Sequence, residues 1–161
     1  MRESGIDEVV GRIEALYRTD GKKMWRSVFA FTGDPEVTDD AIGEAFAQAL
    51  ARGDEIGDPA AWVWRVAFLA AGRERKRRAS LVALGESGSY EMPEPISEVM
   101  TALASLSPNQ RLAIVMHDFA DRPTDEIARL IGASRATVHV HLSKGRKRLR
   151  ELLGDDDGSN P

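Results

Sequence analysis

Apolar residues recur along this chain at intervals of three and four. Ile6, Val9, Val10, Ile13, Leu16 and Tyr17 fall on one helical stripe, and Met24, Trp25, Val28 and Phe29 continue at the same spacing. Gly33-Asp34-Pro35 breaks the pattern. The next stripe is Val37, Ala41, Ala45, Phe46 and Ala49, followed by a loop from Gly53 to Pro59 in which Asp58 is placed to cap a helix and Pro59 to open it. That helix is predicted to run to about Arg78. Ala79 to Pro95 (ASLVALGESGSYEMPEP) lacks helical periodicity and is rich in Gly, Ser, Pro and Glu, which predicts a linker. Beyond it come Ile96, Val99, Met100 and Leu103, then Ser107-Pro108-Asn109-Gln110, which joins a cap, a first-turn proline and a glutamine at the capping-box position. No alternating strand pattern of useful length occurs. The prediction is an all-α chain of two small helical domains, 1–78 and 96–153, with a linker at 79–95 and an acidic tail at 154–161.

From Asp125 the chain reads DEIARLIGASRATVHVHLSKGRKRLRELL: a short helix, Gly132 suited to a left-handed turn, Ser134 as a cap, and a second helix. Val138, Leu142, Gly145, Leu149 and Leu152 define one buried stripe on that second helix, which leaves Arg135, His139, Lys144, Lys147 and Arg148 for solvent-facing turns. A helix N-terminus carrying Ser134, Arg135 and Thr137 suits base edges or phosphate. Such a basic face by itself fits a solvated amphipathic helix. The short helix and the glycine turn before it favour a helix-turn-helix that reads DNA.

Charge sharpens that picture. The 161 residues hold 22 Lys plus Arg against 26 Asp plus Glu, a net charge of −4 that seems to argue against nucleic acid. The charge is segregated, however. Residues 1–72 carry 8 bases and 13 acids, 73–78 (RERKRR) carry 5 bases and 1 acid, and six of the nine bases beyond residue 110 lie between Arg135 and Arg150. The absence of cysteine excludes a disulfide framework, a Cys-ligated zinc site, an iron–sulfur cluster and thiol catalysis. His139 and His141, two apart on a helix, point to different faces and cannot jointly hold a metal. His117 reads as a partly buried structural histidine, since no nucleophile stands beside it in a recognisable motif. No phosphate-cradling glycine loop or nucleophile elbow occurs, so neither enzymatic activity nor a cofactor or metal is expected. No apolar run approaches the ~18 residues that span a bilayer, and the N-terminal MRESGIDEVVGRIE is too charged for a signal peptide, so no membrane insertion and a cytoplasmic location are expected.

Residues 106–152, LSPNQRLAIVMHDFADRPTDEIARLIGASRATVHVHLSKGRKRLREL, resemble region four of bacterial RNA polymerase sigma factors, in particular the small two-domain extracytoplasmic-function (ECF) group of the sigma-70 family. In that family the helix-turn-helix reads the minus-thirty-five promoter element. The resemblance implies DNA contacts by Arg135, Thr137, His139, Ser143 and Lys144, to which the capped helix N-terminus adds Ser134 and the basic solvent-facing turns add Lys147.

LYRTDGKKMWRSVFAFTGDPEVTDDAIGEAFAQAL and DPAAWVWRVA likewise resemble sigma region two, in the same order. The family's acidic helix docks on the clamp helices of the largest polymerase subunit, and Asp39, Asp40, Glu44 and Phe46 occupy matching positions. The acids agree with this: Glu36, Asp40 and Glu44 are like charges at i, i+4 spacing, each pair costing a few tenths of a kcal/mol in an isolated helix, a cost that a basic partner surface offsets. Acids in a first turn also complement the helix dipole, which accounts for Glu36 and Asp39 but not for Glu44.

The helix from Pro59 carries Trp62, Trp64, Arg65 and Phe68 ahead of Arg73, Arg75, Lys76, Arg77 and Arg78. Rings beside cations suit unpaired DNA, since bases stack on rings while cations track phosphates. Trp62, four residues before Val66, fits a core position or a DNA contact equally. Trp64 and Phe68 form a second i, i+4 pair on another face, which makes one of them the better candidate for exposure. On the ground of rings beside cations, Trp62, Trp64, Arg65, Arg73, Arg75 and Arg77 are candidates for minus-ten contacts, and the resemblance makes the 53–59 loop part of a pocket for a flipped base. Four positions depart from the family pattern: Phe68-Leu69 stand where Arg-Asn is usual, Arg73 where an acid is common, and Gly43 where Gln is usual. A lost Asn removes a polar group that bonds DNA, whereas an added Arg raises sequence-independent phosphate attraction. The implied partners are core RNA polymerase, promoter DNA and, as a further option, an anti-sigma factor. The alternatives are a sigma-like DNA-binding regulator with impaired minus-ten recognition and a module that titrates an anti-sigma factor.

Overall fold

The computed structural model describes residues 2–83 and 94–154. Among these the chain forms α-helices and short 3-10 and π turns, with no strand. It divides into two compact units, Met1–Ser89 and Tyr90–Pro161.

In the first unit, α1 (Arg2–Thr32), α2 (Pro35–Arg52) and α3 (Pro59–Ala83) pack on one another. The Gly33 break is real and short: Gly33 takes φ +69, and Asp34 then caps α2, its Oδ1 accepting from the N–H groups of Glu36 (2.9 Å) and Val37 (3.2 Å), with Pro35 in the first turn. Small residues dominate the buried faces, Thr38, Ala41, Ala45 and Ala49 on α2 and Ala67, Ala70 and Ala71 on α3. Short side chains let helix axes approach, and the larger Met24, Val28, Val63, Trp64 and Phe68 fill the remaining space. Helix α3 continues to Ala83, five residues beyond the predicted end at Arg78, so the first part of the predicted linker is helical. Ala79, Leu81 and Ala83 are strong helix formers, and apart from Ser80 the Gly, Ser and Pro that suggested a loop begin only after them. The rest of that segment, 84–93, and the tail from 155 onward lie outside the described residues.

In the second unit, α4 (Glu94–Ala104), α5 (Pro108–Ile114), α6 (Thr124–Ile131) and α7 (Arg135–Leu153) enclose Leu103, Ile114, Met116, Ile127, Val138 and Leu142. The Ser107–Gln110 capping box forms in both directions. Arg111 is buried, and its guanidinium donates to the carbonyl oxygens of Leu103 (2.9 Å) and Ala104 (2.7 Å), satisfying the exposed end of α4. After Ile114 the backbone widens into a π turn, Val115–Phe119.

Gly145 on α7 is buried, and a Cβ there would stand 3.0 Å from Ile114 Cγ1, so glycine permits the close crossing of α5 and α7. The buried stripe of α7 runs through Val138, Leu142 and Gly145, but Leu152, predicted to belong to it, is 40% exposed, because the stripe outruns the helices that cover it.

Candidate nucleic-acid interface

The helix-turn-helix forms as its sequence signals require. Helix α6 closes on Gly132 in the left-handed conformation (φ +74), and Ser134 caps α7 by accepting from the Thr137 N–H at 3.1 Å. With Val138, Leu142 and Gly145 turned inward, His139, Val140, Ser143, Lys144 and Lys147 are all exposed. Arg135 and Thr137 are exposed too, but neither is unengaged: Arg135 Nε lies 3.4 Å from Asp125 Oδ1, and Thr137 Oγ1 lies 3.0 Å from Ser134 Oγ. The Ser134 oxygen is therefore engaged by the helix itself. Arg148 pairs with Glu151 at 3.6 Å. The outward face of α7 is thus basic in its middle and C-terminal half.

Behind that face stands a cluster that the sequence did not reveal. Arg146 reaches 28 residues back to Asp118, donating from Nη2 (2.6 Å) and Nε (3.1 Å), and His117 Nδ1 lies 2.8 Å from the same carboxylate. The Arg146 bonds, and after them the His117 contact, hold the Asp118 carboxyl below its ordinary range. His117 is accordingly part of a structural anchor that ties the π turn to α7.

In the first unit the predicted docking residues divide. Asp39 accepts a 2.7 Å bond from Trp25 Nε1, and Asp39 and Phe46 line one groove of about 580 Å³ between α1 and α2, together with Tyr17, Trp25 and Ile42. Tyr17 meets Phe46 edge to face at 5.3 Å between centroids and is 60% exposed. A second, smaller hollow continues past them to Leu50. Tyr17 and Trp25 had been read only as members of a core stripe, and pairing Trp25 with Asp39 needs two helices in register. Asp40 and Glu44 lie on an adjacent exposed stripe of α2.

The basic end of α3 is less available than its sequence suggests. Arg73 bonds Glu44 at 3.0 Å, Arg77 bonds Glu74, and Arg78 binds Asp34 at 2.8 Å while also reaching Glu36 and Glu74. These bonds, chiefly that from Arg77, lower the Glu74 pKa to about 2. Arg75 lies over the Phe31 ring at 5.4 Å. Arg65 is exposed.

The tryptophans require a correction. Neither member of the Trp64–Phe68 pair is exposed: both are buried, the rings stack at 6.3 Å, and Trp64 Nε1 donates to Asp20 at 3.0 Å. Trp64 is therefore core and is withdrawn as a base-stacking candidate. Two i, i+4 apolar pairs on α3 are both needed because α1 and α2 cover it from two sides. Trp62 is half-buried, with Arg52 over its ring at 5.7 Å, beside the loop that follows α2. In that loop Gly53–Glu55 form a 3-10 turn, Ile56 is buried, and Asp58 Oδ1 accepts from the Ala61 N–H. Leu69, at the position where the family pattern has Asn, is 45% exposed.

The chain is similar to known proteins, and a family model matches its second unit. Residues 96–149 match the family model for sigma-70, region 4. The chain is 27% identical over 153 residues to the ECF RNA polymerase sigma factor SigJ of Mycobacterium tuberculosis, covering 80% of this chain and 48% of that protein. It is 26% identical over 157 residues to the ECF RNA polymerase sigma factor SigE of Mycolicibacterium smegmatis, covering 87% and 61%. It thus spans about half to three fifths of the length of these relatives. Among solved structures it resembles the sigma factor RpoE in complex with the anti-sigma factor NepR from Bartonella quintana (TM-score 0.67, 21% identity, 93% of this chain and 96% of that one). It also resembles CnrH in complex with the cytosolic domain of CnrY (TM-score 0.71, 21% identity, 96% and 95%). At these identities the structural likeness establishes the fold.

Proposed function

We propose, from the match of residues 96–149 to sigma-70, region 4, and the likeness to ECF sigma factors, that this is an ECF-group member of the sigma-70 family, a dissociable, non-enzymatic subunit of RNA polymerase that selects promoters. The first unit docks on the polymerase and reads the minus-ten element; the second reads the minus-thirty-five element. The observation that carries this reading is the outward face of α7. It presents His139, Ser143, Lys144 and Lys147 on a helix whose other side is locked by Val138, Leu142 and Gly145. The helix is about 10–12 Å across and enters a major groove about 12 Å wide.

In the first unit, the groove of Tyr17, Trp25, Ile42 and Phe46, edged by Asp39, combines an apolar floor with an acid, as a basic helical surface of the polymerase requires. Trp62 and Arg52 stand beside the 53–59 loop as a stacking ring and a cation for an unpaired base. The work is done by positioning, charge and stacking in the cytoplasm, where the polymerase acts. An anti-sigma factor is proposed as a further partner. Among the described residues no helix is long and apolar enough to cross a membrane.

A second reading has its own observation. Exposed Leu69 presents an apolar side chain where the family pattern has a polar one, and Arg73 is engaged by Glu44. Both fit a regulator that binds polymerase and DNA without opening the duplex. In vitro transcription with core polymerase, with and without this protein, on a library of promoter fragments tests the two. Start-site-specific transcripts establish the sigma factor. Co-purification with polymerase and no transcript from any fragment establishes the regulator, and neither binding nor transcripts sinks both.

A further inference from the structure

Val140 is the one large apolar side chain on the polar face of α7, 49% exposed and turned away from Val138 and Leu142. Exposed Ala136 lies one turn before it. The two form a short methyl strip, with His139, Ser143 and Lys144 around it. Packing does not account for it, because half of Val140 meets solvent. Helix propensity does not either, since valine is a poorer helix former than the lysines and arginines beside it.

We propose that the Ala136–Val140 strip reads the 5-methyl group of a thymine in the major groove, making Val140 a specificity-determining residue. This rests on the promoter-reading function proposed above. A helix laid in the major groove with its basic side chains on the phosphates brings its outermost short side chains to the base edges. An aliphatic group there can neither donate nor accept, and the apolar group that the major-groove edge offers is the thymine methyl. The longer Lys144 and Lys147 reach outward to the backbone, while His139 and Ser143 hold hydrogen-bonding positions along one flank of the strip.

The test begins by selecting a preferred duplex with the full chain bound to core polymerase. Each thymine in the half bound by the second unit is then replaced, singly, by deoxyuridine, which removes the methyl and nothing else. One position is expected to lower affinity about fourfold, the worth of one buried methyl. Val140→Ser abolishes that difference, Val140→Thr, which keeps a methyl, retains part of it, and melting curves of both variants match the parent. A complex indifferent to every methyl, or a Val140→Ser variant that still loses affinity at the same position, overturns the inference and leaves promoter reading intact. A complex that selects no sequence overturns promoter reading and this inference with it.

Discussion

Arg73 and Glu44, 29 positions apart in the chain, form an ion pair at 3.0 Å that joins the basic end of α3 to the acidic face of α2. Glu44 also accepts from Gln48 at 2.9 Å. The acid proposed to meet the polymerase and the arginine proposed to meet DNA thus neutralise each other in the free protein. Both are well exposed, so in a double-mutant cycle their coupling is expected to be below about 1 kcal/mol, read from thermal unfolding. In the absence of DNA, Arg73→Ala frees Glu44 and raises affinity for core polymerase about two- to fivefold through better charge complementarity. An unchanged or lower affinity, by fluorescence anisotropy, would show that Glu44 takes no part in docking.

Trp64 and Trp62 are expected to separate cleanly. Trp64→Ala empties a core site and strands Asp20, costing about 3–5 kcal/mol in urea unfolding. Trp62→Ala costs about 1–2 kcal/mol, because its ring is only half-buried. If Trp62 stacks on an unpaired base, its removal abolishes permanganate-reactive thymines at the promoter while duplex binding persists. Full reactivity in Trp62→Ala would return the residue to a purely structural role.

Gly145→Ala adds a methyl at 3.0 Å from Ile114 Cγ1. Overpacking of this kind costs about 1–3 kcal/mol, offset in part by the ~1 kcal/mol helical preference of alanine. A lowered melting temperature is the expected outcome. Combining it with Ile114→Ala is expected to cost less than the two changes summed, since each relieves the other. A melting temperature at or above that of the parent would mean that α5 and α7 separate easily.

Asp118 links acid stability to the second unit. Its folded pKa is lowered, chiefly by Arg146. The stabilisation is therefore fully present above the unfolded value of about 3.9 and is lost as pH falls through the lower folded value. Asp118→Asn is expected to cost about 1 kcal/mol at pH 7, the bond being partly exposed. Its melting temperature converges on that of the parent as pH falls below about 4. A gap that persists undiminished at pH 2 would assign the effect to packing and not to charge.

The elements were largely legible because each was signalled locally. Gly33-Asp34-Pro35, Ser107-Pro108-Asn109-Gln110 and Gly132-Ala133-Ser134 punctuate helices through the backbone freedom of glycine, the fixed φ of proline and the short reach of a capping oxygen, all within a few residues. The outward face of α7 was legible for the same reason, since helical spacing alone separates Val138 and Leu142 from His139, Ser143 and Lys144. Where local signals were weak, as at Ala79 to Ala83, the predicted end of a helix missed by five residues.

The sequence by itself thus determined the helices, their punctuation and the outward face of α7, because a helix of fixed pitch converts spacing into faces. Only the tertiary structure decided which rings and charges remain available. It buried Trp64 and left Trp62 half-buried, bonded Trp25 to Asp39, drew Arg146 back to Asp118, and engaged Arg73 and Arg78 with acids of α2 and its cap. Those outcomes depend on which helix covers which, and on carboxylates 14 to 44 residues away, a separation that no periodicity along one helix encodes.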